Sequence, residues 1–365
     1  MDNYVDFLNQ YKQRKTVDYY DVVSIIYAAD VHYYNNHLDY YRAPPLTEDI
    51  TIYAPATIHK IDVSVNSIAD LISIIDKTSY SANAVYNINL GALRRIRGEL
   101  VELNNMIGMS GLKRSVLNQL VYYIQDLHRS DDFKHTIICG PPGTGKTDVA
   151  KIIGRMYAKV GILRRNIFKK VTRTDLVGGY LGQTAIKTRK VIDECIGGCL
   201  FIDEAYSLGD DDIYSKECVD TLCEALSDHK DDLMVIIAGY NDELNNTLFR
   251  VNRGLKSRFM WKFAIDDYSP VEIMRIFEKK VLDSGWTAEC LTEQWFEKRV
   301  SSFKYFGRDV ELLFSHVKIC HSNRIFGKDA SLRKKITVGD LENGFRVFLE
   351  NNKDKIDTSK LSYYL

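Results

Sequence analysis

The first 90 residues contain no glycine and no cysteine, although the chain of 365 carries 22 of the one and seven of the other. A segment without glycine lacks the residue that lets a backbone curl tightly around a ligand, so a phosphate-cradling loop is excluded from that part of the chain. The chain also lacks net charge: Lys+Arg and Asp+Glu both number 49. A bulk electrostatic affinity for nucleic acid or an anionic membrane is therefore not expected, though a local basic patch is compatible with that sum. The cysteines form no CxxC pair and are odd in number, which argues against a disulfide framework and for a reducing compartment. No cationic start precedes an apolar run, and no apolar stretch reaches the roughly 18 residues of a membrane span. The expectation is a soluble, cytoplasmic protein with no membrane partner.

What the amino-terminal part has is tyrosine, with ten of the 23 in the first 53 residues. Tyr19, Val22, Val23, Ile26 and Tyr27 recur at helical spacing, which predicts short tyrosine-lined helices up to Pro44-Pro45. Ile61, Val63 and Val65 alternate with polar residues as in a half-buried strand, and a helix is expected from Ser67 to Asp76. Leu90, Leu93, Ile96, Leu100 and Leu103 predict one helix over 83–104, with Arg94, Arg95 and Arg97 on a solvated face. This divides the chain into a mostly helical module (1–82), a linker helix (83–104) and the remainder.

After residue 105 short apolar runs alternate with helical stretches. His135–Cys139, Ile167–Val171, Cys199–Asp203, Leu233–Ala238 and Trp261–Ala264 read as buried strands of a five-stranded parallel α/β sheet spanning 105–268. Beyond Ser269-Pro270 the strands are expected to give way to amphipathic helices over 269–350, with a tail over 351–365.

Gly140-Pro141-Pro142-Gly143-Thr144-Gly145-Lys146-Thr147 fits the pattern GxxxxGK[ST] directly after a predicted strand. Its glycines let backbone N–H groups face phosphate oxygens, and the following helix, striped with Val149, Ile152, Ile153, Met156, Tyr157 and Val160, presents the positive end of its dipole to the same anion. Lys146 is expected to bridge the β- and γ-phosphates and Thr147 to ligate magnesium. The strand Cys199–Ile202 runs into Asp203 and Glu204. Asp203 suits a magnesium site, because a hard cation prefers oxygen, and Glu204 suits polarisation of an attacking water.

With these motifs on the page, residues 104–350 resemble AAA+ ATPases of the CbbX/CfxQ and stage V sporulation protein K group. The likeness rests on the phosphate loop, on Thr174-Asp175-Leu176-Val177-Gly178-Gly179-Tyr180-Leu181-Gly182-Gln183-Thr184-Ala185, on Phe201-Ile202-Asp203-Glu204-Ala205-Tyr206, on Asp231-Asp232-Leu233 leading to Ala238-Gly239-Tyr240, and on Gly254-Leu255-Lys256-Ser257-Arg258. Residues 1–100 share nothing with that group. The resemblance implies an AAA+ P-loop NTPase core with a carboxy-terminal helical lid. It also implies adenine contacts from Ile107 and Gly108, a γ-phosphate sensor at Asn241 and a lid sensor at Arg308. The arginine reaching into the neighbouring subunit falls at Arg258, with Arg253 as another candidate. Tyr180, Leu181 and Gly182 fall where hexameric relatives carry an aromatic pore loop.

The function implied is an ATP- and Mg2+-dependent remodelling ATPase that forms a homo-hexameric ring and pulls on a protein client. Two alternatives stand beside it: a nucleic-acid-linked switch of the loader type, which the zero net charge and missing basic tract disfavour, and an ATP-gated adaptor with little turnover. Reactivation of rubisco, the named activity of the best-known relatives, is not transferred, because residues 1–100 differ. Cys195 and Cys199 read as buried, Asp210-Asp211-Asp212 as a solvated loop, and His316 and His321 as residues on different helix faces.

Overall fold

A computed structural model describes residues 58–361 apart from 82–83, 130–131, 181 and 290. The tyrosine-lined helices expected over 1–42, Leu181 of the aromatic loop and the terminal residues 362–365 lie outside the described residues.

β1 (Ile58–His59) and β2 (Val85–Tyr86) pair in parallel at the start of the described chain. The strand expected over 61–65 does not extend there, since β2 offers only Val85 and Tyr86 as partners. The helix Ile68–Lys77 forms as expected, closed at its start by a reciprocal cap between Ser67 and Asp70. The single linker helix is two: Leu90–Arg95, capped by Asn89, and Arg97–Asn104, with the break at fully buried Ile96. Nor are their arginines simply solvated. Arg97 pairs with Asp76 at 2.6 Å, and Arg95 donates to the carbonyls of Lys159 (2.8 Å) and Val160 (3.4 Å). The last carbonyls of a helix lack internal donors and attract cations, so this "linker" is a brace on the end of the Lys146–Val160 helix.

The central sheet comprises β3 (Thr136–Cys139), β4 (Phe168–Val171), β5 (Cys199–Ile202), β6 (Met234–Gly239) and β7 (Trp261–Ala264), all parallel, in the order β4-β5-β6-β3-β7. All five expected strands are present. The three inner strands are buried along their whole length, as continuous apolar runs covered by helices on both faces must be. The two edge strands instead carry Lys169, Lys170 and Lys262, charges that discourage pairing with another chain. Cys195 and Cys199 pack in the interior as expected.

Helices Pro270–Asp283, Glu293–Glu297, Gly307–Ile325 and Val338–Leu361 form the lid around Phe277, Phe296, Phe303, Phe314, Phe345 and Phe348. Two expectations change here. Short strands β8 (Thr287–Ala288) and β9 (Lys335–Ile336) pair in parallel within the lid, and the final helix continues past 350 to Leu361 in place of a tail.

Candidate nucleotide-binding site

The sheet order decides what meets at the site. β5, β6 and β3 are neighbours, so their carboxyl ends bring the Asp203-Glu204 pair, Gly239-Tyr240 and the phosphate loop to one edge. This is where parallel α/β sheets bind ligands.

Gly143 and Gly145 adopt φ of +75° and +84°, a region costly for side chains with a Cβ. A Cβ on Gly143 would also lie 2.3 Å from the Tyr305 carbonyl oxygen, so the lid touches the loop there. Gly145 starts the Lys146–Val160 helix with no side-chain cap, leaving its first N–H groups open to an anion. Lys146 Nζ donates to the carbonyls of Gly140 (2.8 Å) and Pro141 (2.7 Å) and lies over the Tyr240 ring at 5.8 Å. Burial pushes its pKa down, opposed by the nearby Asp203 carboxylate.

Lys146 and Thr147 line a cavity of about 290 Å³ together with Pro142, Asp203, Glu204 and Arg308. Asp203 accepts from Lys170 Nζ at 2.6 Å. Glu204 is exposed and sits at φ +51°, ψ 43°, a left-handed conformation that costs a non-glycine residue about 1 kcal/mol and is a common mark of functional positions. Arg308 opens the Gly307–Ile325 helix and also lines the adjoining cavity of about 450 Å³. That second space is lined by Met106, Ile107, Met109, Tyr268 and Ile276, apolar contacts that suit a flat heterocycle, and also by the charged Asp148, Lys279, Lys280, Asp283 and Glu311. The two cavities share Gly143, Thr144, Gly145, Asp148 and Arg308, so they form one groove around the phosphate loop.

The structure thus gathers Ile107, Gly143, Thr144, Gly145, Lys146, Thr147, Asp203, Glu204 and Arg308. Gly140 and Pro141 contribute carbonyls that hold Lys146. Gly108 serves differently from expectation: at φ +67° it turns the chain past Tyr268 and Glu272, where a Cβ would lie within 2.8 Å of both. Asn241 begins the Asn241–Asn246 helix just past Gly239 and Tyr240, which line the groove, and its Oδ1 accepts from Lys262 (2.5 Å) and Asn245 (3.2 Å).

Arg258 and Tyr180 lie outside the groove of their own chain. Among the described residues the Arg258 guanidinium is held by neutral acceptors, the Gly254 carbonyl (2.8 Å) and the hydroxyls of Ser257 (2.9 Å) and Ser227 (3.2 Å). Tyr180 is 73% exposed, and Gly182 at φ +79° starts the helix behind it. Sequence reasoning missed Lys170, Tyr240 and Tyr268. Lys170 could have been found only through the strand register, which sets Lys170 beside Phe201 and Val171 beside Ile202. Tyr268 donates to the Thr144 carbonyl at 3.2 Å across 124 residues.

The family model of the AAA ATPases, the ATPase family associated with various cellular activities, matches residues 136–260. A cfxQ-like protein of Acanthamoeba polyphaga mimivirus is 40% identical over 277 residues, covering 73% of this chain and 68% of that protein. Stage V sporulation protein K of Bacillus subtilis is 35% identical over 189 residues, with 49% of this chain and 58% of the relative covered. The ESX-1 secretion system protein EccA1 of Mycobacterium tuberculosis is 35% identical over 224 residues, and the chain spans 58% of itself but only 39% of EccA1. Among solved structures, the FIGL-1 AAA domain superposes with a TM-score of 0.51 at 18% identity, over 76% of this chain and 88% of that one, a likeness of fold. With a phosphate loop, an Asp-Glu strand end and a lid arginine gathered on a five-stranded parallel sheet, and with that similarity to the mimivirus protein, the chain belongs to the CfxQ-like group of the AAA+ ATPases.

Proposed function

We propose that this protein is a Mg2+-dependent ATPase that assembles as a ring, a homo-hexamer, and remodels a protein client gripped by the Tyr180 loop. The observation carrying the reading is the convergence of Lys146, Asp203, Glu204 and Arg308 on one cavity, beside a space where Met106, Ile107, Met109 and Tyr268 offer apolar contacts to a flat base. Lys146 and the open N–H groups of the helix start bind the phosphates. Thr147 and Asp203 offer the oxygen ligands that would hold magnesium, whose charge would offset that of the phosphates. The Lys170–Asp203 pair gives Asp203 a counter-ion in the absence of that cation. Glu204 accepts the proton of the attacking water, from an exposed position that lines the same cavity as Lys146 and Asp203.

Two observations support a neighbouring subunit in the reaction and a client at the loop. Among the described residues no carboxylate pairs with Arg258, which suits a phosphate presented by another copy. Tyr180 offers a large exposed ring on a glycine-flanked loop. The relatives include a sporulation protein and a secretion-system protein, compatible with protein clients.

Nucleotide binding and ATP turnover by the purified chain test the enzyme reading. Lys146→Ala is expected to abolish binding, and Glu204→Gln to bind ATP while losing about a hundredfold or more of turnover. Robust turnover by Glu204→Gln would remove the assignment.

A further inference from the structure

Arg173 was not among the residues the motifs single out, yet its guanidinium is the most heavily used in the site's surroundings. Nη1 donates to the Ser207 carbonyl (2.8 Å), to Asp210 Oδ2 (2.6 Å) and to Ser215 Oγ (3.0 Å), while Nη2 donates to Asp212 Oδ2 (2.7 Å). Asp210–Asp212 is solvated as expected and also ion-paired, with Asp211 meeting Arg250 at 2.6 Å.

The groups that Arg173 holds follow Glu204 directly. The short 3-10 helix Ala205–Gly209 begins at Glu204, and its other side is fixed as well: the Thr247 hydroxyl donates to the Tyr206 carbonyl (3.1 Å), and a Cβ on Gly209 would lie 2.3 Å from the Leu248 nitrogen. Asp212 caps the Ile213–Asp228 helix by accepting from the Ser215 N–H at 2.6 Å. On its own side Arg173 opens the helix Arg173–Leu176, which leads into the Tyr180 loop. The base of that loop is tied down too. Lys187 Nζ donates to the carbonyls of Thr174 (2.6 Å) and Val177 (2.9 Å), and the Gly178 N–H donates to Thr184 Oγ1 (3.1 Å).

We propose that Arg173 is a positioning residue that couples the Glu204 backbone to the Tyr180 loop. Its planar fork bridges the segment after Glu204 and the helix before Tyr180, so a shift at one end moves the other. This rests on the ATPase reading above. Arg173 lines neither cavity, so its effect runs through Glu204 and the loop and not through nucleotide contact.

The test uses the full chain with three readouts: titration with a fluorescent ADP analogue, steady-state ATP turnover, and chymotrypsin cleavage after exposed Tyr180 with and without a non-hydrolysable ATP analogue. For Arg173→Met we expect binding within about threefold of wild type, turnover down about tenfold or more, and loss of the nucleotide-dependent change in cleavage. Arg173→Lys keeps the charge without the fork and is expected to recover part of both losses. If Arg173→Met does not fold, judged by circular dichroism, Arg173→Lys alone decides. A merely structural role would lower the unfolding midpoint and leave turnover and the cleavage change of the folded protein intact, which overturns the proposal. So does wild-type behaviour of Arg173→Lys in both readouts when Arg173→Met is unfolded, or cleavage at Tyr180 in wild type that ignores the analogue. Failure of the ATPase reading itself looks different: wild type then neither binds the ADP analogue nor turns over ATP.

Discussion

Around the phosphate loop, Lys146, Lys170, Arg308, Asp203 and Glu204 face open space, and among the described residues only Lys170 and Asp203 form a closed ion pair there. In the lid, His321, Arg324 and Asp340 close on one another inside a packed interior. Arg324 meets Asp340 at 2.8 Å, the His321 Nδ1 lies 3.1 Å from Asp340, and the Trp286 ring stands against His321 at 4.9 Å. Both regions cluster charge, but one leaves it for a ligand and the other consumes it internally. Perturbed or clustered ionisable groups mark function only where the partner is missing. Arg258 is intermediate, since its cation is oriented by neutral groups and meets no carboxylate among the described residues.

Arg258 gives the sharpest test of this comparison and the largest expected effect. If it completes a neighbour's site, Arg258→Ala is expected to cut turnover about a thousandfold while binding of a fluorescent nucleotide stays near wild type. Arg253, exposed and without an ion pair among the described residues, is the control. A large loss from Arg253→Ala with little from Arg258→Ala would move the role to Arg253.

The lid triad should respond in stability and not in chemistry. Burial alone would raise the Asp340 pKa, but donors from Arg324, the Thr337 N–H and His321 outweigh it and hold the carboxyl at about 2. Because the folded value lies below the unfolded 3.8, the stabilisation of about 2 kcal/mol is present above pH 4 and is lost as the pH falls toward 2. Asp340→Ala leaves a buried histidine and an arginine without their acceptor and is expected to cost about 3 kcal/mol in denaturant unfolding at pH 7. In that variant the steepest acid loss between pH 4 and 2 should flatten. An unchanged acid profile would show that the triad contributes nothing as an ionised unit.

What the sequence made legible divides along the same line. The phosphate loop, the strand ending in Asp203-Glu204 and the five strands themselves are local patterns, each written in fewer than a dozen adjacent residues, and they formed where expected. Lys170 beside Asp203, Tyr268 on Thr144 and Arg173 among Asp210 and Asp212 depend on strand register and long-range docking, and adjacent residues carry no trace of those. The helix expected to link modules over 83–104 has the apolar spacing of a single helix. It breaks at Ile96 into two helices with separate long-range ties: the first reaches the Lys159 and Val160 carbonyls through Arg95, and the second holds Asp76 through Arg97 and Lys159 through Glu99. Asn241 shows the same split, since its place after β6 is a local pattern while its Lys262 donor comes from the neighbouring edge strand.

Tyr180 sets the smallest expected effect on stability and separates gripping from packing within one residue type. Tyr157 is fully buried on the phosphate-loop helix, so Tyr157→Ala would open a cavity costing about 3–5 kcal/mol. Tyr180, at 73% exposure, packs against little, and Tyr180→Ala is expected to change unfolding by no more than about 0.5 kcal/mol. A singly exposed ring is ordinary on a protein surface, so a client assay and not the exposure itself separates gripping from packing. With unfolded casein as a generic extended polypeptide, wild type is expected to show stimulated ATP turnover, Tyr180→Ala to lose the stimulation, and Tyr180→Phe to keep it, since the ring and not the hydroxyl supplies the contact area. Equal stimulation of Tyr180→Ala and wild type would place the client elsewhere and leave the exposed ring as an ordinary surface residue.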